Sequence, residues 1–346
     1  MGTIVEASAK SQYLGAIVLA ARTPYAHGAL RCPEPLVLFL GIITLNQSAA
    51  PGRDVQARID RLLVYPVKSC AGVELREAVL TETGLDLDRS WMVVDAGGDF
   101  VSQREAPRLA LVRPTMKMHE VILRAPGMLA LHLGIETVEQ AVAVRVWDEA
   151  VSAFDMGDIA AQWFTDFLAM RPDGSLAANA QRYRLVRFDP DHKRLSSMHW
   201  TGGVEARNQF SDGFPLLVLS TASLEQLNKM LVNAGHAAVL IERFRPNIVL
   251  GGMQAHDEDR VGDLHVTTDS GDVRLKLVKP CARCPIPNID HMTATSSSVV
   301  GDMLQTYRSD ARVGGAVSFG MNAIVTRGFD QVLRVGQVAR ADYEFG

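Results

Sequence analysis

Hydrophobic and polar positions change their spacing several times along this chain, and the changes mark out its elements. From Val55 the pattern is short and alternating, in "RIDRLLVYPV", "ELREAVLTE", "SWMVVDA" and "DFVSQRE", with turn-forming "AGGD" at 96–99. Period-two alternation rich in β-branched residues puts successive side chains on opposite faces of a strand, which predicts a mostly antiparallel sheet or small barrel. Further strands are expected at "LALVRPT", "LALHL" and "AVAVRVWD". The period then lengthens. In "GDIAAQWFTDFL", 157–168, Ile159, Trp163, Phe164 and Phe167 recur at helical spacing, and the predicted helix packs that face on the sheet.

The stretch 171–181, "RPDGSLAANAQ", has no apolar face and reads as a linker or surface loop. A second set of elements follows: strands at "YRLVRF" and "LLVLS", a helix at "TASLEQLNKMLVNAG", then strands at "PNIVLGG", "LHVTT", "VRLKLVK", "GGAVSFGMNAIVTRG" and "QVLRVGQVAR". No fixed-period repeat interrupts them. The fold class is therefore mainly β with α (α+β), two β-rich lobes with covering helices, over residues 55–180 and 181–342. Residues 1–54 have a different texture, with apolar stretches "YLGAIVLAA" and "LVLFLGIITL" separated by "RTPYAHGALRCPEP". The second lies too deep, and lacks a basic start, to be a secretory signal, so a dispensable N-terminal extension is expected. Glu6 in "MGTIVE" occupies the place where a myristoylation signal needs Ser or Thr.

Composition narrows the classes. A chain of 346 residues, 47% of them hydrophobic, has material for two ordinary cores. Lys and Arg number 35 against 39 Asp and Glu, without long runs of one sign, which argues against a nucleic-acid tract or a polybasic membrane patch. No apolar run reaches the roughly 18 residues of a membrane span. The four cysteines, Cys32, Cys70, Cys281 and Cys284, are too few for a disulfide scaffold and too few for two C-x-x-C halves of a zinc finger. A reducing, cytoplasmic setting is the simplest expectation.

Four motifs carry candidate chemistry. In "YPVKSC", Lys68 and Ser69 follow an apolar strand and can offer an ammonium and a hydroxyl to an anion, though such a pair is also an ordinary solvated turn. In "LDLDRSWMVVD" Arg89 precedes a strand, and Arg104 follows in "FVSQREAPRLALV"; ion pairs explain Arg104 more readily than Arg89. In "ERFRPNIVL" Arg245, suited to bidentate phosphate contacts, stands before Asn247 and another apolar strand. Finally "KPCARCP" presents two soft thiols, Cys281 and Cys284. Structural zinc wants four ligands, whereas Cys281, Cys284 and His291 supply three; a thioredoxin-type dithiol wants C-x-x-C opening a helix.

Taken together and in order, these segments resemble a known family. "YPVKSCAGVEL", "GLDLDRSWMVVD" and "FVSQREAPRLALV" are similar to the N-terminal β-barrel domain that precedes MOSC domains, and "FSDGFPLLVLSTASLEQLN", "FRPNIVL" and "KPCARC" resemble the MOSC domain itself, over about residues 56–340. The resemblance is to the molybdenum enzymes typified by amidoxime-reducing components. It implies a molybdenum cofactor, a pyranopterin whose metal is held by Cys284, with Cys281 in support. It also implies pterin and phosphate contacts from Lys68, Ser69, Arg89 and Arg245, with Arg283, Asp212 and Asn247 nearby. The implied activity is reduction of small N-hydroxylated compounds (hydroxylamines, amidoximes, N-hydroxylated bases) with two electrons and two protons, releasing water. Ala282 replaces a small hydroxyl residue common in relatives, and "CPIPNID" departs from the usual run beside the substrate.

Electrons are expected from a separate flavin, haem or ferredoxin protein, because no G-x-G-x-x-G run and no cysteine after Cys284 is present to supply a nucleotide site or a cluster. A carrier that holds molybdenum cofactor or sulfur without turnover is the alternative. The family description also carries pyridoxal phosphate binding, for which no residue here gives a chemical argument.

Overall fold

A computed structural model describes residues 54–171, 174–177 and 181–344. The expectations for the N-terminal extension, Cys32 included, and for parts of the 171–181 linker lie outside the described residues. What the alternating segments build is a closed ring of seven strands. In spatial order these are Leu216–Ser220, Ile248–Gly251, Val55–Val64, Val338–Ala341, Asp263–Thr268, Gly271–Ala282 and Ala316–Arg327, the last pairing back onto the first. Only the pairing of Leu216–Ser220 with Ile248–Gly251 in this ring is parallel. Leu62, Val64, Val218, Leu250, Leu275 and Ala323 fill the interior.

The strand Val55–Val64 shows how the sequence pattern becomes two packed faces. Val55, Ala57 and Ile59 point into the barrel while Gln56 and Arg58 are exposed. Between Ile59 and Arg61 the register against Ile248–Gly251 shifts by one residue, and a one-residue shift exchanges the faces. Leu62 and Val64 then point inward, and Leu63 and Tyr65 turn to a second core shared with the helices.

Helices α1 (Gly157–Ala169), α2 (Met198–Thr201), α3 (Thr221–Asn233) and α4 (Val299–Gln305) lie outside the strands. In α3 the hydroxyl of Ser220 accepts from the Ser223 amide, satisfying one free N–H of the first turn, while Leu227 and Leu231 pack beside Leu63, Tyr65 and the α4 residues Val300 and Leu304. In α1 Trp163, Phe164 and Phe167 are buried against Trp91, Leu109 and Leu185. Ile159, expected on that face, is instead 80% exposed. The buried stripe runs through Ala160, Trp163, Phe164 and Phe167, and Ile159 stands about 100° of helical turn from Ala160.

Smaller sheets complete the fold: Trp91–Asp95, Tyr183–Phe188, Glu149–Asp155 and Ala141–Val146 form one, Arg113–Met116, Glu120–Arg124 and Leu131–Gly134 another, and Val332–Arg334, Glu77–Thr81 and Gly84–Leu85 a third. The two expected segments each lend a strand to the other's sheet, Val55–Val64 to the large barrel and Tyr183–Phe188 to the side of Trp91–Asp95. "LALVRPT" is not one strand. Pro107 opens a 3-10 turn through Leu111, and the strand begins at Arg113. Among the described residues, no helix is long and apolar enough to cross a membrane.

Candidate functional site

Antiparallel pairing of Val55–Val64 with Ile248–Gly251 brings the end of the first strand beside the start of the second. The Leu63 amide donates to the Asn247 carbonyl at 2.8 Å, and the Asn247 side-chain amide donates to the Leu63 carbonyl at 3.2 Å. Leu216–Ser220 runs parallel to Ile248–Gly251, so its leading loop with Asp212 comes to the same end, and the Leu217 amide donates to Asn247 Oδ1 at 3.1 Å. Asn247, 1% exposed, thus ties three strands together beneath the loops.

Three of those loops carry a non-glycine residue in the left-handed region: Ser69 at φ 69°, Arg89 at 52° and Arg245 at 59°. Such conformations cost on the order of 1–3 kcal/mol each and persist only where surroundings enforce them. Here the enforcement is visible. Arg89 donates through its amide to Tyr65 O, through Nη1 to Asn247 Oδ1 and Asp88, and through Nη2 to Arg245 O. Arg245 donates through Nη1 to Cys70 O at 2.6 Å, and Gln103 donates to Ser69 O at 2.6 Å. The guanidinium carbons of Arg89 and Arg245 lie 4.4 and 4.3 Å from the centre of the buried Tyr65 ring.

Lys68 is 6% exposed and donates to Phe210 O at 2.7 Å and to Asp212 Oδ1 at 2.5 Å. Burial pushes the Lys68 ammonium down, and Asp212 works against that shift. The Asp212 side chain is 63% exposed at the mouth, yet protein surrounds it at longer range. That burial raises a carboxyl, but the charge and hydrogen bond of Lys68 more than offset it and hold Asp212 at about 2. Burial, with repulsion from Arg89, lowers Arg245 to about 10. The Cys70 thiol, fully enclosed, is pushed up to about 12.

The cysteine strand Gly271–Ala282 runs farther than expected, through Cys281 itself. Its pairing with Ala316–Arg327 slips between Leu277 and Lys279 and again between Pro280 and Ala282, leaving Cys281 out of register. Pro280 has no amide to give the ladder, a local reason for the slip. Arg283 donates through Nη1 to Cys281 Sγ at 2.9 Å and through Nη2 to Phe244 O at 2.8 Å.

One cleft of about 810 Å³ is lined by the eight residues that the resemblance implied as site residues, Lys68, Ser69, Arg89, Asp212, Arg245, Asn247, Arg283 and Cys284, with Cys281 among them. Arg245 Nη2 and Arg283 Nε are buried without a hydrogen-bond partner. Unpaired guanidinium N–H groups and cationic side chains beside a soft thiol fit a group that is anionic at one end and thiophilic at the other. Arg104, which ion pairing was expected to explain, has Glu105 at 3.7 Å but also lines this cleft and lies 4.7 Å from the Trp147 ring. Gln103 and Tyr65 support the loops from behind; both sit in the quoted motifs, but nothing in the spacing marks them. The three-residue zinc set does not assemble: His291 lines a different cavity from the cysteines, and no group of three or more His, Cys, Asp or Glu is placed to hold a metal ion among the described residues.

Comparison with known proteins matches residues 56–171 to the MOSC N-terminal beta barrel domain and residues 205–342 to the MOSC domain. The chain is 34% identical to mitochondrial amidoxime reducing component 2 of Rattus norvegicus over 242 residues, covering 67% of this chain and 66% of that protein. It is 32% identical to mitochondrial amidoxime-reducing component 1 of Mus musculus over 300 residues, 80% of this chain and 83% of the other. Molybdenum cofactor sulfurase of Bos taurus is 28% identical over 281 residues, covering 77% of this chain and 31% of that protein.

Proposed function

Because this chain belongs to the family that joins a MOSC N-terminal β-barrel domain to a MOSC domain, we propose that it is a molybdenum-cofactor-dependent reductase of N-hydroxylated compounds. The observation that carries the reading is the convergence of a thiol, Cys284, with five buried or half-buried cations, Lys68, Arg89, Arg104, Arg245 and Arg283, and two unpaired guanidinium N–H groups in one cleft. The relatives' names supply the chemistry, amidoxime reduction and the molybdenum cofactor.

Cys284 would hold the metal, a cysteine sulfur being a soft ligand. Lys68, Ser69, Arg89 and Arg245 would hold the phosphate and pterin, with Arg283 and Asn247 keeping the loops in place. Asp212 fixes the Lys68 side chain and opposes the lowering that burial imposes on its ammonium. Arg283 donates to the Cys281 sulfur, which would leave Cys281 in a supporting role. When bound, the cofactor supplies two-electron redox chemistry able to take oxygen from an N–O bond. The word "component" in the relatives' names accords with electrons arriving from a separate flavin, haem or ferredoxin protein. The proposed compartment is one that keeps thiols reduced; those relatives are named mitochondrial, and a cytoplasmic site rests only on cysteine usage. Pyridoxal phosphate has no part in the proposal.

The sulfurase relative favours one second reading, a carrier of molybdenum cofactor or sulfur on the MOSC cysteine without turnover. The deciding experiment measures molybdenum and oxidised pterin in freshly purified protein, then turnover of a hydroxylamine with reduced viologen, with pyridine nucleotide alone, and with pyridine nucleotide plus a reductase extract. Turnover with viologen and with the extract supports the reductase. A fully loaded protein that is inert with every donor is a carrier, and absence of molybdenum sinks the reductase and the cofactor carrier, leaving only a sulfur carrier.

A further inference from the structure

The turn that follows Cys284 opens a cavity beside the main cleft, of about 610 Å³, that the roles above leave unused. Among the described residues the two spaces share only Arg283 and Cys284. One wall is "PIPN", 285–288, where Pro285 and Pro287 restrict a 3-10 turn and the Asn288 amide donates to Pro285 O at 2.9 Å. The other wall is α4, anchored in the second core by Val300 and Leu304. Asn288 ties the two together: its Oδ1 accepts from the Gly301 amide at 2.8 Å, and its carbonyl accepts from the Ser297 amide at 3.0 Å. A Cβ on Gly301 would lie 3.1 Å from Asn288 Nδ2, so a glycine is what lets this side chain sit against the helix. The space has fixed walls.

The lining selects what can enter. Pro285, Pro287, Leu304 and Val317 suit an apolar body, while Asp302 and Gln305 stand exposed on the α4 side. Among the described residues Asp302 pairs with no cation, and its Oδ2 accepts from the Ser298 hydroxyl at 2.7 Å. Arg283, the cation that borders this space, donates through Nη1 to Cys281 Sγ and through Nη2 to Phe244 O, so both groups are engaged within the protein. The charge left for a ligand to meet is the Asp302 carboxylate. Opposite charge on the ligand favours entry, and like charge opposes it.

We infer that this cavity receives the body of the substrate, and that Asp302 selects small N-hydroxylated compounds whose far end carries an ammonium or guanidinium group over those that end in a carboxylate. The inference rests on the proposed function, which puts the N–O group on the Cys284 side. Asp302 determines specificity and takes no part in the chemistry.

The test uses N-benzylhydroxylamines that differ only in the para group, which is aminomethyl, methyl or carboxylate. The full chain, loaded with cofactor, is titrated with each by calorimetry in the absence of an electron donor, and KM and kcat are then read with reduced viologen. Wild type should bind the ammonium compound about fivefold more tightly than the methyl compound, and the carboxylate more weakly than either, since an exposed ion pair supports a preference of that order. Asp302→Asn should abolish the preference and Asp302→Lys should reverse it. KM should follow Kd, with kcat within about twofold and the melting temperature unchanged, because the side chain is exposed. The same order of affinities in wild type and both variants overturns the inference, and so does an effect confined to kcat. If Kd follows the charge at position 302 while KM does not, the cavity binds cations apart from the substrate and the substrate role falls. Should the chain from a molybdenum-competent host carry no molybdenum while the order of affinities still depends on Asp302, the reductase reading fails and the charge selection by this cavity stands.

Discussion

Arg283 donates from Nη1 to the sulfur of Cys281 at 2.9 Å, so the first thiol of the C-x-x-C pair is engaged by its own neighbour in sequence. The two cysteines are thereby made unequal, although both line the same cleft. Cys284→Ser is expected to reduce molybdenum content and hydroxylamine reduction to background without changing the melting temperature, because an alcohol replaces a soft thiolate poorly. Cys281→Ser should retain most of both. Molybdenum content and rate, measured on the two variants together, check this; full activity in Cys284→Ser removes the metal-ligand role.

Arg245→Ala and Lys68→Ala address the cationic cradle. Each charge-assisted contact is worth about 1.5–3 kcal/mol, so each substitution should lower cofactor affinity roughly ten- to a hundredfold. Occupancy is to be measured under limiting cofactor. Unchanged occupancy would reduce both residues to structural ties, Arg245 to Cys70 O and Lys68 to Phe210 O.

The pair of Lys68 and Asp212 predicts a pH dependence. Asp212 falls from an ordinary 3.8 to about 2 in the folded protein. A depressed carboxyl stabilises the fold above its unfolded pKa, and the contribution is lost as pH falls through the folded value. The melting temperature of Asp212→Asn should therefore lie below wild type at neutral pH, with the gap closing between 3.8 and about 2. A gap that stays constant over that range would mean that Asp212 acts through packing alone.

Two core substitutions separate buried from exposed positions on α1. Phe164→Ala is expected to cost about 3–5 kcal/mol, as a large cavity forms against Trp163 and its neighbours. Ile159→Ala, on the exposed side, should stay within about 0.5 kcal/mol. Urea unfolding of both gives the comparison.

Gly320 holds a positive φ of 80°, and a Cβ there would lie 2.8 Å from the Val218 carbonyl on the neighbouring barrel strand. Gly320→Ala should destabilise by about 1–3 kcal/mol and disturb the barrel seam opposite the cysteine strand. Thermal melting with molybdenum content reads both effects.

Much of this protein was legible locally. Alternation marked the barrel strands, because a pleated strand buries every second side chain whatever its partner. The run "TASLEQLNKMLVNAG" marked α3, because its apolar residues recur at helical spacing. The four motifs held seven of the named cleft residues, because strand ends are where a barrel leaves side chains free of the core, and the family resemblance added Asp212.

What tertiary structure alone decided were matters of register and of distance along the chain. Lys68 meets Asp212 across 144 positions, Arg89 meets Asn247 across 158, and Arg245 meets Cys70 across 175; strand pairing, not local spacing, sets those approaches. The slip between Ile59 and Arg61 exchanges the faces of the first strand and turns Tyr65 toward the arginines. "RIDRLLVYPV" contains no mark of that slip, since a bulge depends on the partner strand as much as on its own residues. Ile159 reads as core by period and is exposed in fact, because the sheet meets α1 along the Ala160 stripe. Residue types and their spacing determined which elements form and which chemistry they carry; the pairing of distant strands determined which of those side chains face one another.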